Sequence, residues 1–475
     1  MAEPLAPDIC VIGADAGGLA VAAAAAALGV PTVLIEKGGM GDAHVKKSGR
    51  VPAKALIAAA ERANAFRNGA RFGAKSARFG MDFAAVNAHL HDVIGAVAPN
   101  AERARFTGLG VHVISGTARF TDAETVAVDG VAVRARRFVI ATGSKPVLPA
   151  IAGLLDAPYF TSETVSDLVE RPRHLIVIGA GAVGLELAQA FRRLGSEVTV
   201  LEAATPLADE DRECAAVVRD AIEREGITLR TGVEIAKVSR SLAKTQVILA
   251  TPAGTQTIEG SHLLVAAGRR ANLDELELDV AGIRSAPHGI IVDHSLRTTN
   301  KRVYAVGGVV DRRKFDALAT YHAGLVIRHA LFRLPVRADT RAIPRVIFTD
   351  PELAQVGLTE DEARARKGVI RILRWPYREN DRAQAERRID GHIKVITDRR
   401  GGILGATIVG AQAGESIATW TLAIRQRLNI RAFAGLAVSH PSYAELGTYA
   451  AFTFFTRNLT SRWVRRIIGW LRRYG

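Results

Sequence analysis

The sequence contains very little cysteine. Its 475 residues include only Cys10 and Cys214, which lie far apart and form neither a CxxC nor a CxxxxC pair. This count excludes a fold held together by a disulfide framework and fits the reducing environment of the cytoplasm. We therefore predict a cytoplasmic protein.

The sequence also lacks a long uninterrupted hydrophobic run. The apolar stretch at residues 19–35 is broken by Gly29 and Pro31, and no Lys or Arg precedes it. We expect a buried helix followed by a buried strand here, rather than a signal peptide or a membrane span.

Acidic residues are in the minority. The chain has 63 Lys and Arg against 48 Asp and Glu, a formal net charge of +15. This balance favours anionic partners such as dinucleotides or an anionic membrane, or simply solubility. No nucleic-acid-binding module accompanies the charge, so we expect no nucleic acid partner.

An internal repeat predicts the fold. Residues 9–36 read ICVIGADAGGLAVAAAAAALGVPTVLIE, and residues 175–202 read LIVIGAGAVGLELAQAFRRLGSEVTVLE. Each copy has an apolar strand, a glycine turn, a helix, a second strand and a terminal glutamate, which is the βαβ fingerprint of dinucleotide binding. The helix N-terminus would face the pyrophosphate, and Glu36 or Glu202 would accept hydrogen bonds from a ribose. No Arg closely follows Glu202, which favours NAD over NADP at the second copy.

The two copies differ at one glycine position. The positions are Gly13, Asp15 and Gly18 in the first copy, and Gly179, Gly181 and Gly184 in the second. Asp15 would crowd and repel a pyrophosphate, unless the loop shifts and its side chain points to solvent.

The order of these two folds resembles the pyridine nucleotide–disulphide oxidoreductases, most closely their lipoamide dehydrogenase and mercuric reductase-like branch. The resemblance runs from about Asp8 to about Gly447. Further motifs that carry it are ATGSKP at 141–146, AAGRRAN at 266–272, RVYAVGG at 302–308, FTDPE at 348–352 and HPSYAE at 440–445. It implies an α/β fold with two Rossmann-like dinucleotide-binding domains, FAD-type and NAD-type, and a C-terminal α+β dimerisation domain. A homodimer is implied as well.

The resemblance also implies domain bounds and cofactor residues. The FAD-type domain would be discontinuous, at 1–150 and 271–338, with the NAD-binding domain at 151–270 and the interface domain at 339–456. The implied FAD residues are Gly13, Gly18, Glu36, Thr142, Gly143 and Gly307. The implied NAD residues are Gly179, Gly181, Gly184, Glu202 and Gly268.

The resemblance fails at the redox-active cysteines. The family pattern is C-x-x-x-x-C followed by x-P-S-K, and this chain has VPAKAL at 51–56. Counting back from Pro52, the cysteine positions fall on Val45 and Arg50, or the first on His44 if the turn shifts by one residue. None of these can form the thiolate that disulfide exchange needs, so we expect no disulfide reductase turnover. Neither of the two cysteines, predicted in the first strand and in a helix of the NAD domain, replaces them.

A second departure follows the strand at 302–306. The family has Gly-Asp there, with the Asp holding the ribityl chain of the flavin, whereas this chain has Gly307 and Gly308. Asp311 is close in sequence but in the wrong register. Asp15 and Gly308 together predict weakened FAD binding.

Four catalytic positions of the family are retained. Lys54 and Glu186 would pair near the flavin ring, and His440 and Glu445 would form an acid–base dyad that reaches across the dimer. Without the thiols, His440 is equally well explained as a structural loop histidine before Pro441.

The segment that replaces the cysteines is basic. It contains His44, Lys46, Lys47 and Arg50, which could hold an anion in a nucleotide cleft. The simpler interpretation, a solvated turn, is the one we prefer. Since no second ligand lies at a useful spacing from His44, we predict no metal site.

The C-terminal segment 457–475 includes TSRWVRRIIGWLRRYG at 460–475 and predicts a basic amphipathic helix. Such a helix could rest on an anionic membrane surface at the inner face of the membrane. The simpler alternative is a terminal helix packed on the partner subunit.

Two main functions compete. In the first, NADH bound at 179–184 passes hydride to FAD, which reduces a non-dithiol acceptor that the sequence does not identify. In the second, the chain is a non-catalytic pseudoenzyme, or an inactivated variant of a disulfide reductase, that keeps the fold and the dimer. We favour the first narrowly. A third interpretation is a peripheral membrane protein whose tail matters more than its cleft.

Overall fold

The computed structural model describes residues 3–74, 80–241, 244–310, 316–459 and 462–474. Asp311 and the predicted tail residues 460, 461 and 475 lie outside this description. The chain packs into two compact units, one formed by Met1–Ala203 with Thr228–Ala338 and the other by Ala204–Ile227 with Asp339–Gly475.

The helices of the first unit are Ala16–Ala27 (α1), Asp42–Ser48 (α2), Arg50–Asn68 (α3), Phe83–Val97 (α4), Arg103–Gly108 (α5), Ala182–Arg193 (α6) and Asp316–Ala330 (α8). Those of the second are Arg212–Arg224 (α7), Glu360–Lys367 (α9), Asp381–Glu386 (α10), Ala413–Arg425 (α11), Arg431–Ala434 (α12), Glu445–Leu459 (α13) and Arg462–Leu471 (α14). Within the described residues, no helix is long and apolar enough to cross a membrane.

The strands of the first unit are Ile9–Ile12 (β1), Thr32–Glu36 (β2), His112–Ser115 (β3), Arg119–Phe120 (β4), Val126–Val128 (β5), Val131–Val133 (β6), Arg137–Ile140 (β7), Ser144–Pro146 (β8), His174–Ile178 (β9), Glu197–Glu202 (β10), Thr228–Thr231 (β11), Glu234–Ser241 (β12), Lys244–Thr251 (β13), Gly254–Gly260 (β14), His262–Val265 (β15), Arg269–Ala271 (β16), Ser285–Ala286 (β17), Gly289–Ile290 (β18) and Val303–Ala305 (β19). Those of the second are Arg345–Ile347 (β20), Glu352–Gly357 (β21), Arg371–Pro376 (β22), His392–Thr397 (β23) and Ile403–Gly410 (β24).

Two parallel sheets organise the first unit. One has the strand order β19-β7-β1-β2-β3 and the other β11-β10-β9-β15. Their central strands are nearly continuous apolar runs because parallel sheets are covered by other elements on both faces. All four residues of β1 are buried. The helix and strand predicted within residues 19–35 are confirmed as parts of α1 and β2.

The internal repeat is visible in the strand register. Ile9 of β1 pairs with Thr32 of β2, and the equivalent Leu175 of β9 pairs with Val198 of β10. Each copy is therefore the same βαβ unit, with its first strand central in its own sheet. This arrangement brings each glycine turn to the carboxyl edge of a sheet, where dinucleotides bind in such folds.

The second unit is built on an antiparallel sheet with the order β20-β21-β24-β23-β22. Its core includes Trp420 and Phe433, whose rings stack 4.0 Å apart between centroids. Helix α7 also packs here: Nζ of the buried Lys394 lies 2.8 Å from Asp211 Oδ2, at the start of that helix. The helix that contains Cys214, predicted within the NAD domain, thus groups with the C-terminal segment, while the predicted domain bounds stay a prediction.

Candidate functional site

The first glycine of each turn has a left-handed backbone. The φ angle is +97° at Gly13 and +107° at Gly179. A β-carbon would lie 2.4 Å from Ala141 O in the first turn and 2.5 Å from Ala266 O in the second. Glycine is required at both positions because neither the angle nor the space accepts a side chain.

The third glycine of each turn lets the helix approach the strand. A β-carbon on Gly18 would lie 2.1 Å from Gly13 O, and one on Gly184 would lie 2.0 Å from Gly179 O. Since the neighbour is backbone in both copies, neither turn could relax around a larger residue. Gly13, Gly18, Gly179 and Gly184 therefore shape the two turns as the fingerprint predicts.

The glutamates that end the second strands fix the turns. Ala14 N donates to Glu36 Oε2 at 2.6 Å, and Ala180 N donates to Glu202 Oε2 at 2.7 Å. Each carboxylate thereby lies beside the N-terminus of its helix. Glu36 and Glu202 therefore lie at the carboxyl edge of their sheets, beside the glycine turns.

The middle position separates the two turns. Asp15 has φ −66° and ψ 166°, and Gly181 has φ −76° and ψ −178°, so both are extended. Because the two turns have nearly the same backbone at this position, the loop shift considered as an alternative is wrong. A β-carbon on Gly181 would meet nothing within 4 Å. The second turn has open space where the first has a side chain.

The Asp15 carboxylate lies inside the first site. Its Oδ2 is 2.9 Å from the place of a β-carbon on Gly143 and 3.8 Å from that of one on Gly307. It makes no capping hydrogen bond to helix α1. A negative charge therefore stands beside the N–H groups that the fingerprint offers to a pyrophosphate.

A pocket with about 640 Å³ of space, partly open to solvent, surrounds this carboxylate. Its charged lining comprises Asp15, Glu36, His44, Lys47, Arg50 and Arg269. Thr142, Gly143 and Gly308 also line it, so the structure brings together several of the predicted FAD residues. Gly13 lines the adjoining pocket with Glu36.

The loop after β7 is fixed by a hydrogen bond to the segment after β16. Thr142 Oγ1 donates to Asn272 O at 2.6 Å, and Gly143 has φ +69°. Gly307 also has φ +69°, and a β-carbon there would lie 2.9 Å from the Ala319 side chain. Of these residues, Thr142 and Gly143 line the pocket, and Gly307 directly precedes Gly308, which also lines it.

The basic segment that replaces the cysteines is a helix, so the interpretation as a solvated turn is wrong. Val45 is buried and packs against Ile94 and Ala98, which anchors α2 as a helix rather than a loop. Gly49, with φ +66°, ends α2 and allows Arg50 to begin α3. His44 lines the pocket, whereas Val45 faces the core.

Arg269 and Ser144 were not predicted as site residues. Arg269 Nη2 lies 2.6 Å from Glu163 Oε1, and its Nε donates to Ser144 Oγ at 2.9 Å. Both residues lie within motifs already singled out, AAGRRAN and ATGSKP. The basic residues beside Gly268 in AAGRRAN were the available signal. Gly268, just before it, has φ +107° and open space around it.

Lys54 and Glu186 form the predicted pair. Lys54 Nζ of α3 donates to Glu186 Oε2 of α6 at 2.8 Å. The glutamate is buried and the lysine partly exposed. This ion pair joins α3, which follows the first nucleotide motif, to α6, the helix within the second.

His440 and Glu445 also form the predicted pair, within the second unit. His440 Nδ1 lies 3.0 Å from Glu445 Oε1, and this hydrogen bond raises the pKa of His440 above its ordinary value. Burial alone would raise the pKa of Glu445, but hydrogen bonds from Ser442 N and His440 bring it below its usual range. The imidazole is largely exposed, with 63% of its side chain accessible.

The two cysteines are buried thiols. Cys10 lies in β1 and Cys214 in α7, and neither is in a disulfide. Burial raises the pKa of both. Both thiols therefore stay protonated and inert at neutral pH. Among the residues that the structure describes, no group of three His, Cys, Asp or Glu side chains could hold a metal ion.

Comparisons with known proteins cover nearly the whole chain. The family model for pyridine nucleotide-disulphide oxidoreductases matches residues 7–325, and that for their dimerisation domain matches 343–451. A mercuric reductase from Streptomyces lividans is 35% identical over 456 residues, which cover 94% of this chain and 96% of that protein. A dihydrolipoyl dehydrogenase from Geobacillus stearothermophilus is 32% identical, with coverage of 94% and 95%. The solved structure of LpdA from Mycobacterium tuberculosis has a TM-score of 0.84 and 26% identity, and covers 96% of this chain and 100% of that one.

Proposed function

Because this chain belongs to the pyridine nucleotide-disulphide oxidoreductase family, we propose that it is an NADH-dependent flavin oxidoreductase with a non-dithiol electron acceptor. The family consists of flavin-dependent NAD(P)H oxidoreductases, and its α/β fold with a C-terminal dimerisation domain is the one that the repeat and the motifs predicted.

The intact second turn carries this proposal. Gly179 and Gly184 have the geometry of the fingerprint, and the open space at Gly181 leaves the N-terminus of α6 accessible to a diphosphate. Glu202 lies beside this N-terminus, and no basic residue follows it closely in sequence. These features support NADH rather than NADPH as the electron donor.

The first pocket fits FAD only in part. Glu36, Thr142 and Gly143 line it, as a dinucleotide site requires. The Asp15 carboxylate lies against Gly143, beside the N-terminus of α1, where it would repel the pyrophosphate. When bound, FAD supplies the hydride acceptor of the family. We propose that FAD binds here with reduced affinity.

The residues around the proposed flavin site determine which electron acceptors are open to this protein. The Lys54–Glu186 pair orients α3 against α6 and keeps a cation at the partly exposed Nζ of Lys54. Val45 and Arg50 offer no thiol, so electrons cannot pass to a disulfide by thiolate exchange. The bond to Glu445 raises the pKa of His440, but this chain has no dithiol for the pair to serve.

A second candidate is a non-catalytic homodimer, a pseudoenzyme that keeps the fold. One observation favours it: the Asp15 carboxylate stands inside the pocket that FAD would have to enter. In this case the second turn would still bind NADH, and the protein would respond to it without turnover.

The dimerisation domain at residues 343–451 supports a homodimer for either candidate. We propose a cytoplasmic location and no nucleic acid partner. Contact between residues 457–475 and a membrane is a separate proposal.

The visible absorption spectrum of the purified protein tests the function. After FAD is added and excess removed, we expect a flavin band that bleaches with anaerobic NADH and much more slowly with NADPH. For comparison, the Lys54→Met variant should keep the band but bleach more slowly, because it loses the ion pair with Glu186. A protein that takes up no FAD, while NADH binding persists by fluorescence titration, would overturn the first candidate in favour of the second.

A further inference from the structure

Helix α14 presents a large apolar surface to solvent. None of its residues is buried. The exposed side chains include two tryptophans, Trp463 at 71% and Trp470 at 57%. Aromatic side chains of this kind bury large areas when they find a partner. This surface is the kind that marks an interaction site rather than a scattered exposed residue.

The two kinds of residue on this helix are completely segregated. Within α14, at 3.6 residues per turn, the apolar side chains fall within an arc of about 160° and the arginines within an opposite arc of about 100°. The apolar set is Trp463, Val464, Ile467, Ile468, Trp470 and Leu471, and the basic set is Arg462, Arg465 and Arg466. Arg472, Arg473 and Tyr474 follow the end of the helix. Residues 462–474 contain no acidic residue.

The helix lies outside the part of the chain that matches the family. The match to the dimerisation domain ends at residue 451, and α14 begins at Arg462. The shared fold therefore does not explain a pattern of this regularity.

We propose that α14 docks in the plane of an anionic lipid surface. Its apolar half would enter the acyl boundary, and its arginines would lie among the anionic headgroups. Ten residues span only about 15 Å, about half of the hydrocarbon thickness, so the helix would lie in the interface and not cross it.

Charge complementarity decides between this partner and the others. If α14 packed against α14 of a second copy, its three arginines would face three more, and neither helix has an acidic residue to pair with them. A nucleic acid would engage the arginines but leave the apolar half in water. An anionic bilayer satisfies both halves at once. The proposal does not depend on the proposed redox function.

Vesicle binding by the full-length chain tests the proposal. We expect sedimentation with vesicles of phosphatidylglycerol and phosphatidylcholine, and at least tenfold weaker binding to phosphatidylcholine alone. The fluorescence of Trp463 and Trp470 should shift to the blue on binding. Replacing Arg465 and Arg466 by Gln should weaken binding to the anionic vesicles by about fivefold for each arginine, because each contributes roughly 1 kcal/mol near such a surface.

Matched variants separate the two faces of the helix. The double variant Ile467→Gln, Leu471→Gln places polar side chains on the apolar half, and Gly469→Gln places the same side chain among the arginines. We expect the first to abolish vesicle binding and the second to keep it. Equal binding by the wild-type chain and the double variant would overturn the proposal. So would a double variant that dissociates the dimer in ultracentrifugation, since the helix would then pack on the partner subunit. Vesicle binding that added RNA abolishes and ribonuclease then restores would overturn it as well.

Discussion

The two dinucleotide-binding turns share one backbone and differ in one side chain. Gly13 and Gly179 have nearly the same positive φ, and in both turns a neighbouring carbonyl leaves no space for a β-carbon. Asp15 and Gly181 share an extended backbone, yet only the first carries a charge. The glutamates that follow make equivalent bonds to the turn amides.

This comparison separates two reasons for a glycine. At the first and third positions the fold itself requires glycine, because a side chain would meet backbone atoms. At the middle position the protein tolerates a side chain, and only a ligand would require its absence. The first copy can therefore keep its fold while its affinity for a dinucleotide falls.

The largest expected effect tests the structural glycines. Gly18→Val and Gly184→Val should each destabilise the protein by about 4 kcal/mol or more, because the β-carbon would overlap a backbone oxygen. Gly181→Val is the matched control and should change stability by less than about 1 kcal/mol, since its β-carbon meets open space. Denaturant unfolding of the three variants measures this. A stable Gly184→Val protein would show that the fold does not require glycine at the third position.

The next largest effect is expected when the aspartate of the first turn is placed in the second. Gly181→Asp should weaken NADH binding by about 100-fold, because a like charge beside the diphosphate costs roughly 3 kcal/mol at a partly screened site. The fold should be unaffected. Titration of NADH fluorescence measures the affinity, and Gly181→Asn separates charge from size. If the Asp and Asn variants bind NADH equally well, charge at this position is not what distinguishes the two turns.

The smallest effect is the reverse substitution. Asp15→Gly should raise FAD affinity by about tenfold, less than the loss above because Gly308 still lacks the carboxylate that the family uses for the ribityl chain. Flavin retained after gel filtration measures the gain, with Asp15→Asn as the isosteric control. FAD uptake that does not change in either variant would mean that Asp15 is not the obstacle.

Much of the first unit could be predicted because local patterns determine it. The apolar strands, the glycine turns and the terminal glutamates all lie within one stretch of chain, so their spacing alone indicates the βαβ unit. The Lys54–Glu186 and His440–Glu445 pairs followed from the family motifs, and the structure confirms both contacts.

Features that depend on distant packing could not be predicted. The segment around Val45 reads as a polar turn in sequence, but the structure has a helix whose Val45 packs on Ile94 and Ala98, residues far away in sequence. The grouping of α7 with the C-terminal unit depends on a buried ion pair between Lys394 and Asp211, residues far apart in sequence. Arg269 was missed because its partners Ser144 and Glu163 come from other parts of the chain.

The burial of Val45 bears on how this chain could be repaired by protein engineering. Two cysteines placed at positions 45 and 50 would restore the family motif in sequence, but the two thiols would have different surroundings. The thiol at 45 would replace a side chain that is packed in the core, with its ionisation suppressed by burial. The thiol at 50 would face the pocket. Of the two, only the thiol at 50 would therefore be placed to react as a thiolate.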